Sequence, residues 1–287
     1  MSRLPVVVAV DGSEESLRAA EWAAREAMRR TLPLRIVSAP ALLPRMQSEH
    51  VPAGTVANAL RDRAARSLAL AVERVGEVSP GLLIDADLLS GPPAVAVSDS
   101  GSGASMLVVG ARGSGGFGAM LLGSVSRYAA GHASCPVVVV REDTTAVHRE
   151  VAVGIRDPED SQGALGFAFE EAALRGADLL VVHAWHWIIP GLWATDDPLH
   201  DTELISATAR AEIRDMLSPW GEKYPSVQVI SDVVHAHPAQ VLASLSARAD
   251  LVVIGRHATS GPVVGSIQNV VLSHAHGPVA IVPGGMR

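Results

Sequence analysis

Cysteine, lysine and aromatic side chains are all scarce in this chain, and each scarcity removes a class of explanation. The 287 residues contain a single cysteine, Cys135, so no internal disulfide can staple the fold. Lys223 is the only lysine among 23 basic residues, and it follows no glycine-rich loop, which excludes a Walker-type phosphate loop. Aromatics make up only 3% of the sequence while apolar residues reach 48%, so the cores must be filled by Ala, Val, Leu and Ile. The formal net charge of −7 comes without any Lys/Arg cluster, which argues against a nucleic-acid surface. No apolar run approaches the roughly 18 residues needed to span a bilayer. The N-terminus enters an apolar strand at once through Leu4-Pro5-Val6-Val7-Val8, so the expectation is a soluble cytoplasmic protein with no membrane partner.

What is present is a repeat. Single domains cluster at roughly 100–150 residues, and two segments of that size align here. Leu34-Arg35-Ile36-Val37 matches Leu179-Leu180-Val181-Val182, Pro93 matches Pro238, and Ala104 to Gly110 matches Ala249 to Gly255, all at an offset of 145. Beyond the next loop the offset falls to 142, pairing Gly123-Ser124 with Gly265-Ser266, His132 with His274, and Cys135-Pro136-Val137 with Gly277-Pro278-Val279. The second copy has therefore lost three residues from that loop. The polar stretch Arg141 to Arg149 separates the copies, giving domains of residues 1–146 and 147–287.

Each copy alternates short β-branched runs with Ala-rich amphipathic stretches. Strands are expected at 6–10, 34–37, 82–88, 106–109 and 136–140, and again at 151–153, 179–182, 227–233, 251–254 and 279–282. Most are continuously apolar, as strands covered on both faces are. Helices are expected at 14–30, 58–75 and 125–131. This order predicts an α/β fold of two tandem, doubly wound, five-stranded parallel sheets of Rossmann-like type. Ligands on such sheets bind beyond the carboxyl ends of the strands, near the point where strand order reverses. The longest irregular connections, Pro40 to Gly54 and His186 to Asp201, read either as binding loops or as plain crossovers.

The chemistry concentrates in one loop. Gly110-Ala-Arg112-Gly113 follows the fourth strand, and Gly123-Ser124 then opens a helix beginning Val125-Ser126. Glycines let the backbone approach a polyphosphate, and free N–H groups at a helix start attract negative charge. The hydroxyls of Ser124 and Ser126 are candidates for further bonds to phosphate. Gly113-Ser-Gly115-Gly-Phe-Gly118 fits a bare dinucleotide pattern, but it follows the fourth strand rather than the first, which weakens that reading. Asp11, in Val10-Asp11-Gly12-Ser13, reads alone as a turn or cap residue.

Gly110, Gly113, Gly123 and Ser124 satisfy Gly, two residues, Gly, nine residues, Gly and Ser/Thr, and with this signature the chain closely resembles the universal stress protein family in its tandem-domain form. The resemblance covers both halves. It implies an adenine-nucleotide hydrolase-like fold and ATP as ligand, with Asp11 holding the ribose or adenosine and Ala9, Val37 and Ser38 packing on adenine. Residues Gly110, Arg112, Gly113, Gly123, Ser124, Val125 and Ser126 would surround the phosphates. Mg²⁺ would arrive with the nucleotide. The second copy departs from the signature: its loop has Ala258 for the second glycine and six residues where nine are expected, and Gly154 replaces the Asp; Asp157 could substitute from a displaced position, but a domain kept for packing or regulation is the more economical reading. One working ATP site, in the first domain, is expected.

His235 and His237 alternate as a metal pair would, yet nothing in sequence completes a ligand set, so structural roles are preferred. Trp185, Trp187 and Trp193 suit either ligand stacking or packing. Cys135, directly before Pro136 and a strand, reads as buried and inert. No nucleophile paired with a base is evident, so a non-enzymatic ATP-binding regulatory protein of stress response is the expectation. The alternatives are a slow ATPase, an ATP pyrophosphatase or adenylyltransferase of related fold, and a structural dimerisation protein that binds no nucleotide. The apolar last strands, Val137 to Val140 and Val279 to Val282, suggest an intrachain pseudo-dimer, and the chain is expected to form a homodimer and to have an unidentified protein partner.

Overall fold

The computed structural model describes residues 4–40, 53–113, 122–141, 146–156, 158–185, 198–256 and 265–284. The chain divides into two compact units near residue 144. In the first, the order is β1 (Val6–Ala9), α1 (Glu14–Arg30), β2 (Leu34–Ser38), α2 (Ala53–Val78), β3 (Ile84–Leu88), α3 (Pro93–Ser100), β4 (Met106–Gly110), α4 (Ser124–His132) and β5 (Val137–Val140). The second repeats it as β6 (Glu150–Gly154), α5 (Pro158–Arg175), β7 (Asp178–Trp185), α6 (Pro198–Lys223), β8 (Val229–His235), α7 (Pro238–Leu245), β9 (Leu251–Arg256), α8 (Ser266–His274) and β10 (Val279–Pro283).

Within the first unit the strands run β3-β2-β1-β4-β5, all neighbours parallel. Within the second they run β8-β7-β6-β9-β10, again all parallel. Strand order therefore reverses between β1 and β4, and between β6 and β9. All ten expected strands are present. Strands β3 and β8 depart from the expected two-sided burial, since most of their residues are exposed or half-exposed. They lie furthest out in each order, and Arg35 on β2 donates to Asp87 on β3 at 2.6 Å across that margin.

Helix α1 shows how local sequence sets the geometry that matters later. Ser13 caps it by accepting from the Ser16 N–H, Glu14 and Glu15 face the positive end of its dipole, and Arg29 and Arg30 lie in the last turn. Thr31 ends it in the left-handed conformation at φ 54°, its N–H returning to Ala27 and Met28. The buried face carries Ala19, Ala20, Ala23, Ala24 and Ala27, small side chains that let the helix sit close to the sheet. Arg74 of α2 donates to Glu21 at 2.6 Å and to Glu14 at 2.9 Å, tying α2 to this helix. The hydrogen bond to Glu21, helped by the charge of Glu14, raises the Arg74 guanidinium above its ordinary pKa.

One polar device recurs in both units. Glu26 is fully buried and accepts from Arg29 at 3.1 Å and Arg30 at 2.8 Å. In the second unit Glu171, also fully buried, pairs with Arg175 one helical turn on. Both pairs lie at an offset of 145 from one another, so the repeat extends to the buried ions as well as the apolar pattern. Buried Trp22 has an aromatic counterpart in buried Phe167 at the same offset, whereas Phe169, Trp220 and Tyr224, which stack in the second unit with centroids 5.7 to 6.4 Å apart, have no aromatic at theirs.

Candidate functional site

In the first unit, the carboxyl ends of β1 and β4 bring together two segments that are about 100 residues apart in sequence. Asp11, half-buried, leaves β1. Its Oδ1 accepts from the Ser13 N–H at 3.0 Å and the Ser13 hydroxyl at 2.6 Å, and its own N–H points to Ser16 Oγ at 3.3 Å. Gly12 sustains this turn with φ at +82°, where a side chain would be strained and would also meet Ser67 Oγ at 2.7 Å.

The glycine loop meets this turn closely. A Cβ on Gly113 would lie 2.5 Å from Asp11 Oδ2, so the carboxylate occupies the space that the missing side chain leaves. A Cβ on Gly110 would lie 2.9 Å from the backbone C and O of Glu15, which means β4 ends directly under the first turn of α1. Arg112 pairs with Glu15 at 3.3 Å, joining the loop to α1 by charge. Residues 114–121, the middle of the loop, lie outside the described residues, as does most of the Pro40 to Gly54 connection.

The loop returns at Gly123, whose N–H donates to the Ala111 carbonyl at 2.8 Å. Gly123 is the N-cap of α4 and offers no side-chain bond, so the first N–H groups of α4, at Ser124, Val125 and Ser126, lack the usual side-chain cap. Ser124 is exposed. Ser126 is buried and donates its hydroxyl proton to the Gly110 carbonyl at 2.6 Å. This corrects its expected part as a donor to phosphate: its one proton is spent on joining the two ends of the loop. Ala9 lies opposite Val37 on one side and Val109 on the other. The Val37 and Ser38 carbonyls already accept from Val10 and Leu89, at 2.8 Å in both cases, and the Ser38 side chain is buried. Among the described residues no three His, Cys, Asp or Glu side chains converge as a metal site would, and no helix is long and apolar enough to cross a membrane.

The sequence profile of the universal stress protein family matches residues 3–141 and, a second time, residues 148–283. The chain belongs to the universal stress protein family. A universal stress protein of Mycobacterium tuberculosis is 35% identical over 291 aligned positions, covering 96% of each chain. One from Mycolicibacterium smegmatis is 34% identical with the same coverage. Among solved structures, a universal stress protein from Archaeoglobus fulgidus superposes with a TM-score of 0.71 at 16% identity, covering 98% of this chain and 96% of its own, which speaks for the shared fold.

The second universal stress protein unit differs from the first in a way that sequence matching misplaced. Gly154 lies opposite Val182 as Ala9 lies opposite Val37. Two residues on, the Arg156 N–H points to Ser161 Oγ at 3.3 Å, as the Asp11 N–H does to Ser16 Oγ. The residue in the place of Asp11 is therefore Arg156, and Gly154 stands in the place of Ala9. Asp157 lies outside the described residues. Gln268 takes the place of Ser126 and donates to the Gly255 carbonyl at 3.0 Å, so both units tie their loop ends together with different side chains. Leu242 of α7 packs on Gly154, where a Cβ would meet its methyl at 2.8 Å. A cavity of about 430 Å³ opens at the carboxyl ends of β6, β7 and β9, where strand order reverses in this unit. Trp185, stacked on His235 at 4.4 Å between centroids, lines it, whereas Trp187 and Trp193 lie outside the described residues.

Proposed function

We propose that this universal stress protein is a non-enzymatic regulatory protein of stress response that binds ATP in its first unit, with occupancy changing the protein's conformation or choice of partner. The observation that carries the reading is the meeting of the Asp11 carboxylate with Gly113, beside the uncapped start of α4 at the reversal of strand order. A carboxylate is a strong acceptor for ribose hydroxyls, and a helix start is a donor set for phosphate, so the two ends of a nucleotide have complementary groups at one edge of the sheet. In this reading Asp11 holds the ribose, Ala9, Val37 and Ser38 wall the adenine, and Gly110, Arg112, Gly113, Gly123, Ser124 and Val125 surround the phosphates. Ser126 acts one step back, as the residue that fixes the loop. Mg²⁺ would accompany the phosphates and need few protein ligands.

Calorimetric titration of the full chain with ATP tests this directly. About one site per chain is expected, and Asp11→Ala should abolish it without unfolding the protein. Two equal sites, or unchanged affinity in Asp11→Ala, would overturn the reading. Phosphate release from the bound ATP should stay at the uncatalysed rate; sustained release lost in Asp11→Ala would make the protein an ATPase. The same reading places the protein in the cytoplasm as a homodimer, which light scattering would register at twice the chain mass of 29.9 kDa.

A further inference from the structure

The two units treat the start of their last helix differently, and one side chain makes the difference. We propose that the Gln268 carboxamide fills the phosphate position of the second unit, making Gln268 a residue that closes this unit to nucleotides. The inference rests on the reading of the first unit as a nucleotide site. Ser126 and Gln268 hold the same place in the repeat, three residues after the N-cap glycines Gly123 and Gly265. Both donate to a carbonyl at the end of the neighbouring strand, Ser126 to Gly110 on β4 at 2.6 Å and Gln268 to Gly255 on β9 at 3.0 Å. That shared bond fixes both side chains, and their lengths set them apart.

A serine side chain ends at its bond. A Cβ on Gly123 would lie 3.6 Å from Ser126 Oγ, an ordinary contact. A carboxamide has a second arm. With Nε2 held by Gly255, the Gln268 oxygen turns back onto Gly265, where a Cβ would fall on Oε1 and come within 3.2 Å of Cδ. Gln268 is only 4% exposed and lines the cavity at the carboxyl ends of the strands, so its amide stands between that space and the start of α8. Glutamine at the third helical position, reaching back to the N-cap, is one half of a capping box, in which the side-chain oxygen answers the donors of the helix start. Its partial negative charge faces the positive end of the helix dipole, as a phosphate oxygen would. To admit a phosphate, Gln268 must leave Gly255 and strand a carbonyl, a loss of about ten- to a hundredfold in affinity.

Inorganic triphosphate is the probe, because it needs neither a ribose acceptor nor an adenine wall. It is titrated into the isotope-labelled full-length chain, with the amide resonances of Ser266 and Ile267 reporting the second unit and those of Ser124 and Val125 the first. At Ser266 and Ile267, Gln268→Ser should bind triphosphate at least about tenfold tighter than the wild-type chain. Gln268→Met breaks the bond to Gly255 but keeps the bulk, and should stay closed. The reverse exchange, Ser126→Gln, should weaken triphosphate at Ser124 and Val125, and ATP, by at least about tenfold. Equal triphosphate affinity in the wild-type chain and Gln268→Ser, no binding by Gln268→Ser at millimolar concentration, or opening by Gln268→Met as full as by Gln268→Ser would each overturn the proposal. If Gln268→Ser melts early, Ser126→Gln carries the test from the other unit, and unchanged triphosphate affinity there overturns it. If the wild-type chain binds no ATP, the reading of the first unit fails, while the triphosphate comparison at Ser266 and Ile267 still decides the part of Gln268.

Discussion

Adding one methyl group at Gly113 should cost the protein its nucleotide and little of its stability. The φ of Gly113 lies outside the left-handed region, so alanine meets no backbone strain there. Its Cβ would, however, come within 2.5 Å of Asp11 Oδ2, roughly 1 Å closer than a carbon and an oxygen tolerate. The carboxylate must swing away and give up one or both bonds from Ser13, at 3.0 and 2.6 Å. Hydrogen bonds to a charged group are worth about 1.5–3 kcal/mol, and a half-exposed carboxylate regains water, which leaves a net cost of about 1–2 kcal/mol. For a unit of this size that lowers the melting temperature by only about 2–8 °C. ATP affinity should fall at least about tenfold, because the displaced carboxylate no longer faces the loop. Gly110→Ala is the contrast. There the added Cβ falls 2.9 Å from the backbone of Glu15, which cannot rotate aside, so α1 must lift from β4 at a cost of about 3 kcal/mol. Thermal melts followed by circular dichroism, paired with ATP titration of each variant, separate the two cases. Normal ATP binding by Gly113→Ala, or a melting loss as large as that of Gly110→Ala, would refute the reasoning.

Two other perturbations follow from the packing. Glu26→Gln removes the charge that answers Arg29 and Arg30 from a fully buried site, and should destabilise the first unit by about 3 kcal/mol, measured by urea denaturation; a loss under about 1 kcal/mol would mean the pair contributes little. Cys135 is 5% exposed, so the native protein should react with a thiol-specific chromogenic disulfide only at its unfolding rate, with one thiol per chain titrating fully in denaturant. Rapid reaction under native conditions would contradict its burial.

The strands were legible in the sequence because short β-branched runs bounded by turn residues have few other uses, and α1 was legible because Ser13, Glu14, Glu15 and the closing arginines mark both its ends. The exposed margins β3 and β8 were not, since burial on the second face depends on what lies over it. Ser126 shows the same limit within the site. Its hydroxyl next to a glycine-bounded helix start suggested a phosphate donor, and only the fold brought the Gly110 carbonyl, 16 positions away, to take its proton.

The misplacement of Gly154 has a definite cause. Val151-Ala152-Val153-Gly154 matches Val8-Ala9-Val10-Asp11 as a string, but the sheet pairs Gly154 with Val182 and Ala9 with Val37, two positions out of step with that match. A slip of two residues leaves every side chain of a strand on the same face, so the apolar pattern is blind to it. By itself, the sequence determined the duplication, the parallel α/β architecture and the one intact glycine signature, because periodicity and local turn chemistry are properties of neighbours along the chain. Arg156 in the place of Asp11 already follows from the repeat offset of 145 carried back to the first strand, whereas tertiary structure alone decided that Asp11 meets Gly113 and that a cavity opens above β6, β7 and β9. Those facts depend on strand register and on side chains converging from distant segments, and no window of sequence contains them.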